Sequence, residues 1–217
     1  MNVRGQIRRT LLEIARRRQR PGSGSGLKLL TRRTVQVQWP DLTPVLRPIP
    51  WAVIGAAATR LYMPERTTRD LDIVVRAEDG PQVRQKLAAA GFQYQGELSV
   101  RGSSWLSPDG CFVDVLEWGE PWCAQAIAQA EQNRDAQGLP VLPFHFLVLM
   151  KFQAGRVQDL ADITRMLGQA DEEKLAVVRA LFAERAPEDL EDLQSLIILG
   201  KLEMQLPSAR GGEAQLG

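Results

Sequence analysis

The sequence predicts an α+β fold, with strands gathered in the middle of the chain and helices filling its last third. Three observations predict it. Short apolar runs at 51–54 and 71–75 have the length and composition of buried strands. Residues 103–118 read as a hairpin around Ser107-Pro108-Asp109-Gly110, a turn with Pro at its second position and Gly at its fourth. From Phe144 onward the apolar spacing is helical throughout, over 144–154, 157–167, 172–184 and 188–204.

Taken in order, residues 3–19 read as a basic helix, with Val3, Ile7, Leu11, Ile14 and Ala15 at helical spacing and arginines between them. Pro21 to Gly26 has linker composition and lacks the lysine of a phosphate-binding loop. Val35 and Val37 suggest a short strand, and Pro40, Pro44, Pro48 and Pro50 forbid a long helix after it. Trp51 to Ile54 is a strand ending at Gly55, and helix-favouring residues follow to Tyr62. Leu71 to Val75 is a second strand, and Pro81 to Ala90 a helix stopped by Gly91. Pro121 to Arg134 is helical, and Leu139 to Leu142 suits one more short strand. The expected organisation is a helix and linker over 1–26, a connecting segment over 27–50, a core over 51–142, a helical region over 143–205 and a tail over 206–217.

The formal charge of +1 on 217 residues conceals an asymmetry. Residues 1–50 carry 11 Lys and Arg against 2 acids, a net of +9, and residues 51–217 carry a net of −8. The arm 1–33 is therefore expected either to be a solvated extension or to contact a polyanion such as RNA. No 18-residue apolar run and no secretory h-region is present, so no membrane span is expected. Cys111 and Cys123 as the sole cysteines fit a reducing cytoplasm, and a single histidine, His145, leaves little room for Ser-His-Asp chemistry.

The chemistry-bearing stretch is Gly55-Ala56 followed by Arg66-Thr67-Thr68-Arg69-Asp70-Leu71-Asp72. Arg66, Thr68, Asp70 and Asp72 recur every second residue, so an extended chain places all four on one face. Two carboxylates about 7 Å apart repel one another and suit a hard divalent cation. Asp114 lies on an alternating strand between Val113 and Val115. It either faces solvent or, if its strand pairs near 71–75, completes a carboxylate triad for phosphoryl or nucleotidyl transfer. Glu117 is the substitute if the opposite face is the working one.

These residues resemble the nucleotidyltransferase superfamily of the DNA polymerase β fold, and in particular its minimal branch of AbiEii/AbiGii-type toxins and related domains. A later stretch, Lys151 to Ile163 with Gly155, Arg156, Asp159 and Asp162, is similar to the helical motif of that branch. The resemblance runs from about Trp51 to Leu167. It implies a small mixed sheet with flanking helices. It implies one or two Mg²⁺ ions held by Asp70, Asp72 and Asp114, with Asp114 helping to deprotonate the acceptor. Gly55, Ala56, Arg66, Thr68 and Lys151 would bind the nucleotide, and Arg156, Asp159 and Asp162 would orient the lysine or its helix. Where the family has Gly-Ser or Gly-Gly, this chain has Gly55-Ala56, which keeps a backbone N–H and offers no hydroxyl.

Each residue also has a plainer role. Lys151 ends an apolar helix face, where lysines snorkel. Asp159 and Asp162 can pair with Arg156 or Arg165. His145, Trp118, Trp122 and both cysteines suit packing, although the tryptophans could stack on a base. Three functions follow from the sequence: a Mg²⁺-dependent enzyme that moves an NMP from an NTP to a hydroxyl of RNA or protein, with an antitoxin as a partner in the toxin-type branch; the same fold as a non-catalytic binding module; or an RNA-binding protein whose body only positions the arm.

Overall fold

The computed structural model describes residues 3–18, 21, 38–63 and 68–204. Contacts divide the chain into two compact units, residues 30–147 and residues 1–29 with 148–217. The expected Val35–Val37 strand and Arg66 lie outside the described residues, as do most of the 21–26 linker and the 206–217 tail.

The first unit is an α+β sheet domain. Its strands are β1 (Ala52–Val53), β2 (Leu71–Arg76), β3 (Gln93–Glu97), β4 (Gly102–Leu106) and β5 (Phe112–Trp118). Among the described residues they form one sheet in the order β1-β2-β5-β4-β3. The sheet is mixed, because β2 and β5 run parallel and the other pairs antiparallel. The expected hairpin is β4–β5, and the expected strand at 139–142 is present only as isolated bridges, Val53 to Val141 and Arg134 to Pro140.

One sheet face carries Leu71, Ile73, Val75, Val113 and Val115, all buried. Helix α4 (Gly80–Ala89) covers this face with Val83 and Leu87. Glu117 also points here and is 8% exposed. Its carboxylate accepts from Arg84 at 3.0 Å and Arg101 at 3.3 Å. Glu117 is thus a buried ion-pair partner on the side opposite Asp114, which removes it as a substitute for that residue. Among the described residues this unit also holds α2 (Thr43–Leu46), α3 (Gly55–Thr59) and α5 (Cys123–Ala130). The turn of helix from Phe144 adds Phe146, which stacks on Trp122 with centroids 5.6 Å apart. Trp122 is 2% exposed, so it packs in the core.

The second unit is helical: α1 (Val3–Arg18), the end of α6 (Phe144–Ala154), α7 (Val157–Gln169), α8 (Glu172–Arg185) and α9 (Leu190–Met204). Helices α7 and α9 approach closely where Gly168 meets Gly200, since a Cβ on either would overlap the other's backbone. Asp171 caps α8 by accepting from the Lys174 N–H at 2.8 Å. Helix α1 is part of this unit and does not stand apart as a free arm. It turns Arg8 and Leu12 inward and leaves Ile7, Leu11 and Ile14 exposed. Arg8 pairs with Asp189 and, at 2.8 Å, with Asp192, while its guanidinium lies 4.1 Å over the Phe152 ring. Arg9 stands 3.7 Å from Asp192 and Arg16 donates to Ser195 Oγ at 3.5 Å. Part of the positive charge expected to be available to a polyanion is therefore met by the chain's own acids.

Candidate active site

Strand β2 pairs with β5 in parallel register, and the partner of Asp72 is Asp114. On the other flank of β5, Ser104 of β4 stands opposite Asp114. Residues directly opposite in a sheet share a face, so Asp72, Asp114 and Ser104 form one row across three strands. All three are half-buried. The alternation that buries Val113 and Val115 on the helix-covered face is what turns Asp114 to this side.

Gly55 closes the row at the β1 end. The Ile54 N–H donates to the Asp72 carbonyl at 2.9 Å, continuing the β1–β2 pairing. Gly55 then turns at φ +63° and begins α3. A Cβ at this position would collide with the Asp72 carboxylate. Glycine is required twice over here, by the left-handed backbone and by the side chain lying against it. Ala56 is buried, and its carbonyl accepts from the Thr59 hydroxyl at 2.8 Å.

Asp70 is placed differently from the expectation. Strand pairing starts only at Leu71, so the β2–β5 register does not place Asp70 or Thr68. Asp70 is exposed at a bend. Its backbone N–H donates to the Thr68 hydroxyl at 3.3 Å, a local turn contact that uses the threonine. The Asp70 carboxylate lies near Cys111 at the start of β5: burial, with this negative charge added, pushes the Cys111 thiol up. The structure thus brings Asp72, Asp114 and Gly55 together and leaves Asp70 at the open end of the same strand pair.

Among the described residues no three His, Cys, Asp or Glu side chains converge into a preformed metal cage. The donor set nonetheless suits Mg²⁺. The ion takes oxygen ligands and is commonly held by one or two carboxylates, with water and substrate phosphates completing its shell. Asp72 and Asp114 supply such a pair, with the Gly55 backbone against the Asp72 carboxylate.

Lys151 belongs to the helical unit. It is 5% exposed, and its Nζ donates to Asp159 at 3.1 Å and to Asp162 at 2.9 Å. Arg156 donates to Asp159 at 2.6 Å. Burial alone would raise Asp159, but the hydrogen bonds and charges of Arg156 and Lys151 outweigh it and hold the carboxyl below its ordinary value. His145 lies against the Phe146 ring, and burial lowers its pKa.

The sequence did not single out Phe112 or Ser104. Phe112 is 46% exposed, two residues from Asp114 on the same face, and opposite Leu106. An exposed aromatic in a strand carries no periodic signal. Strand alternation puts it on the face of Asp114, and the register adds Leu106 as its partner.

No protein-family model matches the chain, and no curated protein matches it significantly. Several solved structures are similar in fold. The antibiotic-resistance factor ANT(2'')-Ia is 17% identical, with 75% of this chain and 92% of that chain covered and a TM-score of 0.43. The lincosamide antibiotic adenylyltransferase LnuA, lincomycin-bound, is 15% identical over 54% of this chain and 85% of that one, with a TM-score of 0.37. The Cid1 poly(U) polymerase is 13% identical over 59% and 37%, with a TM-score of 0.24. None of these three reaches a TM-score of 0.5. Among the described residues no helix is long and apolar enough to cross a membrane.

Proposed function

We infer that the chain is a Mg²⁺-dependent nucleotidyltransferase that moves an NMP from an NTP to a hydroxyl. One observation carries this: Asp72 and Asp114 stand opposite one another on parallel strands, with the Gly55 backbone packed against the Asp72 carboxylate. The resemblance of Gly55-Ala56, Asp70-x-Asp72 and Asp114 to the polymerase β-like pattern supports the same reading.

The acceptor oxygen attacks the α-phosphorus, the bond to the bridging oxygen of the β-phosphate breaks, and pyrophosphate leaves. Asp72 and Asp114 would hold Mg²⁺, which when bound offsets phosphate charge and lowers the pKa of the attacking hydroxyl. Asp114 Oδ, on the β4 side of the pair, takes the acceptor proton. The backbone at Gly55 and Ala56 lets the leaving phosphates approach without a side chain in the way. Ala56 supplies an N–H and no hydroxyl. Asp70, exposed at the open end of the strand pair, would supply a further carboxylate. Arg66 completes the nucleotide side in this reading. Thr68 supports the Asp70 backbone. Lys151, enclosed by two carboxylates, serves the helical unit in place of the triphosphate.

A second reading, nucleotide binding without turnover, is favoured by one observation: Asp70 stands outside the pair. The acceptors foreseen from the sequence are RNA or protein, and the resemblance to toxin-type domains adds an antitoxin as partner. The free thiols Cys111 and Cys123 fit a reducing cytoplasm.

Incubation with each α-labelled NTP, Mg²⁺ and total RNA or lysate protein tests the two readings. Label transfer that disappears in Asp72→Asn and Asp114→Asn supports the enzyme. NTP binding without transfer supports the binding module, and neither binding nor transfer rejects both.

A further inference from the structure

The row Gly55–Asp72–Asp114–Ser104 crosses the sheet in one direction, from β1 to β4. Neighbouring strands lie about 4.8 Å apart, so the two ends of this row are well separated. Displacement at phosphorus is in line: the attacking oxygen enters opposite the leaving group. With the leaving phosphates at the Gly55 end, the acceptor lies over β5 and β4.

Phe112, Leu106 and Ser104 are found there. Phe112 is 46% exposed and stands about 7 Å along β5 from Asp114. Leu106 is its direct partner on β4, half-buried. Ser104 is the direct partner of Asp114. An apolar cross-strand pair, Phe112 and Leu106, therefore neighbours the proton-accepting carboxylate over β5 and β4, with the Ser104 hydroxyl on the same face.

We propose that Phe112 and Leu106 form the acceptor subsite, and that it takes a hydroxyl-bearing acceptor with a planar heteroaromatic ring close to the reacting hydroxyl. This rests on the nucleotidyltransferase reading. The ring stacks on Phe112, and Ser104 receives the hydroxyl beside Asp114. Phe112 is a positioning residue: it sets where the ring lies and leaves the chemistry to Asp114.

The test uses adenosine, uridine and ribose, which share the sugar hydroxyls and differ in the ring. Their affinities are measured by NMR titration of the full chain with Mg²⁺, in the presence of a saturating α,β-methylene analogue of whichever NTP binds tightest, so that the nucleotide position is filled. The nucleosides are expected to bind about tenfold tighter than ribose. Phe112→Ala should abolish that advantage, Phe112→Trp should retain it, and analogue binding should not change in either. Because Phe112 is half exposed, these variants keep the core intact. Nucleosides that bind no tighter than ribose, or an advantage that survives Phe112→Ala, overturn the subsite alone. A chain that binds none of the four NTPs overturns the nucleotidyltransferase reading and the subsite with it.

Discussion

Two pairs of aspartates, one in each unit, are gathered by different means. Asp159 and Asp162 are 1% and 2% exposed and close on Lys151, with Arg156 added from outside. Their negative charge is answered by cations of the same helical unit. Asp72 and Asp114 are half-buried, set opposite one another by strand register, and neighbour the half-exposed Phe112. The first arrangement is built to be complete within the fold. The second sets two acidic residues in one row by the pairing of parallel strands. The two acidic pairs thus differ in how they are made: one by burial and ion pairing within consecutive helices, the other by register across two strands.

The largest effect expected is on the helical pair. Lys151→Met leaves two buried carboxylates without their ammonium, and urea denaturation should show a loss of about 3–5 kcal/mol. A change under 1 kcal/mol would break the contrast between the pairs. Gly55→Ala comes next. The added Cβ must displace the Asp72 carboxylate and the left-handed backbone becomes strained, so a stability loss of about 1–3 kcal/mol is expected together with loss of NTP binding. Arg8→Ala removes the pairs to Asp189 and Asp192 and the contact over Phe152. About 1–2 kcal/mol should be lost, because these groups are only partly buried. The smallest effect is in acid. Asp159 titrates below its unfolded value, so its stabilisation is present above about pH 4 and is lost as pH falls through the folded pKa. Asp159→Asn should flatten that part of the stability–pH curve.

The strands that carry the site were legible because their apolar residues mark them: Trp51 to Ile54, Leu71 to Val75, and the alternation through Val113 and Val115. Strand β3 was not. Gln93–Glu97 is an edge strand with a mostly exposed pattern, so its pairing with β4 comes from backbone hydrogen bonds and the Tyr94–Trp105 contact. Helix α2 was hidden by Pro44, which sits in its first turn where a missing N–H costs nothing. In the candidate site, alternation gives each of Asp72 and Asp114 a face of its strand, and the register sets the two opposite one another. Asp70 and Thr68 precede the paired strand, and nothing in the composition marks that pairing begins at Leu71. The cluster around Lys151 joins two consecutive helices, and its closure depends on the turn at Gly155, which the spacing of charges alone does not fix.

The central claim is that Asp72 and Asp114 act together on an NTP. Its most direct test is Mg²⁺-dependent transfer from α-labelled NTP by the wild-type chain, Asp72→Asn, Asp114→Asn and the double variant, with thermal unfolding measured alongside. Each single variant should lose transfer at least about a hundredfold, with little further loss in the double and unfolding midpoints within a few degrees of wild type. Full transfer by a folded Asp114→Asn chain would contradict the claim.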